Sequence, residues 1–338
     1  MKPLLKYLLR RASGLVPLSS LIALTGRRCL LPVYHLASDH SAPHIWPIYP
    51  VRNIPLFRQD LDTLLRHYTP ITTADLLGLV STRRFPGKPV FHLSFDDGLR
   101  QIWDEVAPVL LEKGVPATFF VNTDFVGNKA LFYRYLAALL VSRLRQTPPS
   151  GTLQATCHQK LQAAGITHPD LGTALMQVDY ARRQVLPEVA ALLEVDPAVF
   201  LQEYRPYLDT DQLIRLQAQG FTIGAHSQDH PEYRFIPPEA QLSQTKGSLD
   251  ALDQMIQPPL RTFAFPFTDH GVRAAFFQAI APQVDLTFGC AGIKDDISPL
   301  HLQRLPMEGT MDSARSVIGA EYLYYILRQP LGKNQITR

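Results

Sequence analysis

The stretch Ser94-Phe95-Asp96-Asp97-Gly98 sets two adjacent carboxylates at the end of a short apolar run. Like charges side by side repel, and both stay ionised only where a cation or a proton relieves them. The plain structural reading is a loop carboxylate capping the next helix, with Gly98 easing the turn. A second group, His226-Ser227-Gln228-Asp229-His230, follows the apolar segment Phe221–Ala225. Two histidines at i and i+4 face one side of a helical turn, so they can share a metal ion. The plain alternative is a pair of polar loop histidines, one bonded to Asp229. Together the groups say more than either alone. One Asp and two His make a three-ligand set for a borderline divalent metal, with positions left for water and substrate. Such a metal polarises a carbonyl and lowers the pKa of bound water. The other Asp is then available as a base for that water. These parts add up to amide hydrolysis.

The elements around them must hold both groups at strand ends. Leu31–Leu36, Pro89–Phe95, Ala117–Val121, Phe221–Ala225, Thr262–Phe265 and Leu286–Gly289 read as strands. Helical spacing intervenes at Phe57–Tyr68, Ala74–Val80, Arg100–Lys113, Asp209–Gln219, Glu239–Met255 and Val272–Ala281, and Asp312–Arg328 closes the chain. This alternation predicts an α/β fold, a distorted (β/α) barrel with parallel strands and crossover helices. The stretch 127–206 breaks the rhythm with helical segments at Leu131–Leu144 and Asp179–Leu193. At about 80 residues it is too long for a plain loop and is read as a helical insertion, by default a packed ornament. Residues 1–30 form a basic, apolar lead-in, and 31–330 the main domain.

The residues Phe91–Asn122 and Phe221–His230 resemble the polysaccharide deacetylase family, the NodB homology domain or carbohydrate esterase family 4. Ser94–Gly98 is similar to its first motif and His226–His230 to its second, and Pro116-Ala117-Thr118-Phe119-Phe120-Val121 is also typical. The resemblance covers about Pro32–Pro306 apart from the insertion. It implies a NodB-type barrel, a zinc-type metal site (cobalt or another transition metal being alternatives) and an N-acetylated sugar as substrate. By motif position it implies Asp96 as general base and Asp97, His226 and His230 as metal ligands.

Later motifs depart from the family pattern. The third is Arg-x-Pro-x-Gly, and here Ala264-Phe265-Pro266-Phe267-Thr268 stands in its place. A subset with a Phe-Ala-Tyr-Pro-like motif also lacks that Arg, and this chain resembles it. Arg304 is the candidate replacement for orienting the base, against a surface or helix-capping role. Pro266 and Phe267 are expected to wall the substrate groove. The family's Leu-x-His motif, which supplies the general acid, is missing. His301, His270 and His35 are the candidates, His35 also as a substrate contact. The incomplete set leaves two alternatives open, a carbohydrate-binding homologue with little turnover and an O-acetyl esterase.

A net charge of +3 with 19% charged residues is too weak for nucleic-acid binding. Cys29, Cys157 and Cys290 make neither a disulfide framework nor a metal knuckle and favour a reducing compartment. Lys2, Lys6, Arg10 and Arg11 precede an apolar stretch, Ala12–Thr25, broken by Ser, Gly and Pro. No Ala-x-Ala site follows, so a signal peptide is not expected. The lead-in is either a structured amphipathic helix or a membrane-surface anchor, consistent with a cytoplasmic or membrane-peripheral location.

Overall fold

The computed structural model describes residues 3–308 and 310–338; Lys2 lies outside the described residues, as does the side chain of Lys6. Eight short strands, all parallel, carry the fold: β1 (Pro32–Tyr34), β2 (Leu93–Phe95), β3 (Ala117–Val121), β4 (Thr222–Ala225), β5 (Thr262–Ala264), β6 (Leu286–Gly289), β7 (His301–Gln303) and β8 (Leu305–Pro306). They are ordered β7-β6-β5-β4-β3-β2-β1-β8. The two ends of this row are consecutive in the chain, separated only by Arg304. The Arg304 amide donates to the Gly289 carbonyl (3.1 Å) and the Leu305 amide to the Leu31 carbonyl (2.8 Å), so one segment joins both edges and nearly closes a barrel. Closure removes the unpaired edges that an open sheet would expose. This last segment is not among the strands expected from sequence.

Strand periodicity sorts the side chains between two environments. Phe95, Phe119, Val121, Ile223, Phe263 and Phe265 point outward into the main core, beneath Ile54–His67, Thr210–Ala218, Pro238–Ile256 and Ala314–Arg328. Phe120, Ala264, Leu286 and Phe288 point inward and fill the barrel. The helices start where short polar side chains can take up free amides. Asn53 accepts from Leu56, and Thr72 with Asp75 forms a reciprocal capping box. Gly114, at φ 63°, ends Ala107–Lys113.

Residues 127–206 form five helices: Tyr133–Gln146, Gly151–Ala163, Leu171–Met176, Val185–Leu192 and Pro197–Glu203. They have a core of their own, including Leu136, Leu140, Cys157, Leu161, Leu175, Leu186 and Val189, which continues into Leu99 and Tyr207 of the main domain. The lead-in forms two helices, Pro3–Ser13 and Leu18–Thr25. They pack on Ala314–Arg328, with Arg315 donating to the Ser13 and Val16 carbonyls and Arg10 paired with Asp312 at 2.6 Å.

Candidate active site

Asp96 and Asp97 follow β2 at the carboxyl end of the barrel, where groups from several strands converge. The chain turns sharply there. Asp97 has φ 73° and Gly98 φ 64°. A Cβ on Gly98 would come within 2.8 Å of the Val121 side chain, so only glycine fits both the angle and the space. The turn sends the two carboxylates in different directions.

Asp96 faces Arg304. The guanidinium meets it with two parallel bonds, 2.6 Å to Oδ1 and 2.8 Å to Oδ2, and also donates to the Ser94 hydroxyl (3.1 Å) and the Gly289 carbonyl (3.2 Å). Arg304 is 1% exposed, stacked over Phe120 inside the barrel, so a surface or helix-capping role is excluded. Burial alone would raise the Asp96 pKa, but Arg304, with help from His226, holds it below the usual carboxylate range.

Asp97 faces the histidines. Its Oδ1 lies 3.1 Å from His230 Nε2 and 3.5 Å from His226 Nε2. The expected helical turn is absent. His226–His230 is a loop in which Ser227 (φ 65°) and His230 (φ 64°) both adopt left-handed backbone, and the Ser227 hydroxyl accepts from the His230 amide. The rings converge because the loop folds back, not because a helix stacks them. His226 Nδ1 bonds the Ala264 carbonyl at 2.8 Å, so this nitrogen carries the hydrogen and Nε2 presents a lone pair. Burial pushes His226 down to about 4, although Asp96 and Asp97 oppose it, so the ring is neutral at ordinary pH. Asp97 is held well below its ordinary value, chiefly by His230 working against burial.

A lone pair on His226 Nε2 thus points at a carboxylate oxygen, and neither atom has a hydrogen-bond partner. Two buried acceptors facing each other are costly unless a cation lies between them. One oxygen and two imidazole nitrogens, all within 4.8 Å of one another, suit a tetrahedral or five-coordinate divalent ion. The donor set therefore fits the metal the sequence implies.

Tyr135 and Phe132, which the sequence did not single out, complete the walls together with Phe267, which it did. Tyr135 donates to Asp97 Oδ2 at 2.5 Å. The Phe132 ring lies 4.3 Å from the His230 ring, and Phe267 packs edge-on to His230 at 4.7 Å, 6.1 Å from Phe132. Tyr135 and Phe132 belong to the 127–206 segment, so it is no mere packed ornament: it supplies part of the site. Pro266 is buried, while Phe267 is partly exposed at φ 57°. No local signal marked Tyr135, because its role depends on a fold-back across 38 positions.

The acid candidates separate. His301 sits on the outer face of the barrel, against Phe277 of the helix Ala274–Ile280. There it bonds Thr287 (2.8 Å) and Asp269 (3.0 Å), and its expected catalytic place is corrected: strand parity turns it away from the cluster that Arg304 enters. His270 is exposed and contributes to neither group. His35, directly after β1, lies close enough for its charge to act on Asp96 and Asp97. Its Nδ1 is 2.6 Å from Glu308 Oε2, while the His35 and Leu36 amides both donate to Glu308 Oε1 at 2.8 Å. Burial favours the neutral ring, but Glu308 overrides it and pushes His35 up to about 10.

Residues 83–281, more than half of the chain, match the family described as polysaccharide deacetylase. A chitooligosaccharide deacetylase of Rhizobium leguminosarum bv. phaseoli is 27% identical over 143 residues, 41% of this chain and 54% of that protein. The chain thus spans about half the length of the curated relative it matches. Among solved structures, the Streptococcus pyogenes deacetylase PplD in complex with acetate is similar with a TM-score of 0.56 at 15% identity, covering 87% of this chain and 97% of that one. IcaB from Ammonifex degensii is similar with a TM-score of 0.55 at 15% identity, covering 88% and 98%. At these identities the likeness concerns the fold, a mixed α/β barrel with parallel strands.

Proposed function

This chain belongs to the polysaccharide deacetylase family, and on that footing we propose that it is a metal-dependent hydrolase removing acetyl groups from the nitrogen of an amino sugar in a polysaccharide or glycoconjugate. The observation that carries this reading is the division of labour between adjacent carboxylates. Asp97 faces the Nε2 atoms of two imidazoles, and Asp96 is clamped by Arg304 beside them. A chain that only binds sugar has no use for a buried, clamped carboxylate next to a ligand set, so the clamp favours turnover over binding alone.

Asp97, His226 and His230 would hold the ion, zinc first and cobalt next. When bound, such an ion polarises the acetyl carbonyl and acidifies the attacking water. Asp96 accepts the proton of that water as its oxygen joins the acetyl carbon. The carbon–nitrogen bond then breaks as the sugar nitrogen takes a proton. His35 is the donor, because Glu308 occupies Nδ1, keeps the ring protonated, and leaves Nε2 for the substrate. Phe267, Phe132 and Pro266 form an apolar wall beside His230, suited to the methyl group or a sugar face.

The reading is tested by acetate release from N-acetylated chitooligosaccharides with zinc or cobalt, run beside an O-acetylated sugar. Release from the N-acetyl substrate supports it. Release from the ester alone makes the protein an O-acetyl esterase, and metal binding with no release from either makes it a binding homologue.

Two variants probe the supporting residues. Tyr135→Phe removes only the hydroxyl that orients Asp97, and should weaken zinc binding by about 10- to 100-fold. Competition with a chromophoric chelator reads this directly, and unchanged affinity would remove Tyr135 from the account. Glu308→Gln removes the charge that keeps His35 protonated. The His35 pKa then falls, so the alkaline limb of the kcat profile should move to lower pH. A limb that stays in place would rule out His35 as the proton donor.

A further inference from the structure

We propose that the N-terminal helix pair docks this protein onto an anionic membrane surface, lying along it. Leu9 and Ser13 of Pro3–Ser13 are buried against Ala314–Arg328, which fixes the orientation of the helix. The adjoining side carries Leu5, Leu8 and Ala12, and Leu15 continues the line beyond the helix end, all four exposed. Their spacings of three, four and three give a continuous apolar stripe along one face. Leu15 is 87% exposed and Leu24, on Leu18–Thr25, is 69% exposed. So much apolar surface bared on one short segment calls for a partner.

Charge identifies the partner. Lys2, Lys6, Arg10, Arg11, Arg27 and Arg28 all precede the first acidic residue, Asp39. Arg10 and Arg27 are engaged by Asp312 and Asp295, while Arg11 and Arg28 are exposed. A second copy of the chain would bring like charges together along the stripe, which disfavours a dimer. An anionic lipid surface accepts the leucines and the cations at once, as interfacial helices do. No helix among the described residues is long and apolar enough to cross a membrane. Arg10 also ties the helix to Asp312, which holds the stripe in place on the body of the protein.

Sedimentation of the full chain with vesicles tests this. The protein should pellet with phosphatidylcholine vesicles containing phosphatidylglycerol, not with phosphatidylcholine alone, and high salt should release it. Arg11→Gln should weaken binding about fivefold, the expectation for one cation near such a surface. The double variant Leu8→Glu/Leu15→Glu should stay in the supernatant with an unchanged thermal melt and unchanged acetate release from soluble chitooligosaccharide. No pelleting with either vesicle, equal pelleting with both, or undiminished binding by the double variant would overturn the proposal. So would light scattering that shows a dimer abolished by the same substitutions, because the stripe would then be a self-interface. Vesicle binding is read without any enzymatic assay, so it stands or falls apart from the deacetylase reading.

Discussion

Asp96→Asn should lower the rate of acetate release by about 100- to 10,000-fold, the usual contribution of a positioned general base, while the protein keeps its full complement of metal. The carboxamide matches the carboxylate in size, so the pocket around β2 keeps its shape. It cannot take a proton from water, and it meets the Arg304 fork with one acceptor where the carboxylate offers two. Metal content is the matched control. Asp97 approaches both His226 and His230, whereas Asp96 comes within 3.9 Å of His226 alone, so elemental analysis of Asp96→Asn should equal that of the parent. Asp97→Asn should show the opposite pattern, with metal lost and activity lost with it. An Asp96→Asn enzyme that still releases acetate would show that the base lies elsewhere. If metal disappeared with Asp96, the two carboxylates would have to exchange roles.

Arg304→Met should damage both stability and catalysis, and the two effects can be separated. Breaking a buried ion pair from one side leaves a charge without compensation, at a cost of about 3–5 kcal/mol. Asp96 and Arg304 are almost fully enclosed, so solvent does little to soften this. Urea denaturation of the metal-free protein should show the loss. Combining Arg304→Met with Asp96→Asn removes both charges and should recover part of it, with no recovery of activity. The sign of the pH effect follows from Asp96. Arg304 holds its pKa down in the folded protein, so the pair stabilises above the carboxylate's unfolded pKa and that stability is lost as pH falls through the folded value. Without Arg304 the Asp96 pKa rises. The acidic limb of kcat/KM should therefore shift to higher pH. Arg304→Lys restores a charge without the two-pronged fork and should fall between the parent and Arg304→Met. An acidic limb unmoved by either substitution would mean that Arg304 does not tune the base.

The Arg304 geometry also shows what a missing motif means. The family's third-motif Arg would come from the end of β5, where Ala264 stands in this chain. Arg304 reaches Asp96 from the segment that closes the barrel, its guanidinium lying over Phe120 and Phe288 in the interior. It lies outside the 83–281 match, so a comparison confined to that region would score the clamp as absent. The same break between β7 and β8 that turns Arg304 inward also lets one segment pair with both β6 and β1. Barrel closure and the clamp on Asp96 thus rest on the same few residues.

Asp96, Asp97, His226 and His230 were legible in the sequence because each pair is local. Adjacent carboxylates and histidines four apart need only a strand to bring them to one end of the barrel, and the apolar runs before them announced those strands. The barrel was legible for the same reason, since alternating strand and helix periods leave few topologies. The closing segment His301–Pro306 was not, because it splits its pairing between the nearby β6 and the distant β1, and its central residue is an arginine. The facing of His301 and Arg304 was equally hidden. They stand three residues apart, an odd number that puts them on opposite sides of a strand, and only the closed barrel decides which side is inside. Tyr135, Phe132 and Glu308 carry no local mark either, since each acquires its partner through long-range packing. The sequence alone determined which groups could do chemistry and that strand ends would present them. Tertiary structure alone decided which carboxylate meets the arginine, which meets the imidazoles, and which of the candidate histidines stands near them. Those choices depend on side-chain direction and burial, which neighbours distant in the chain impose.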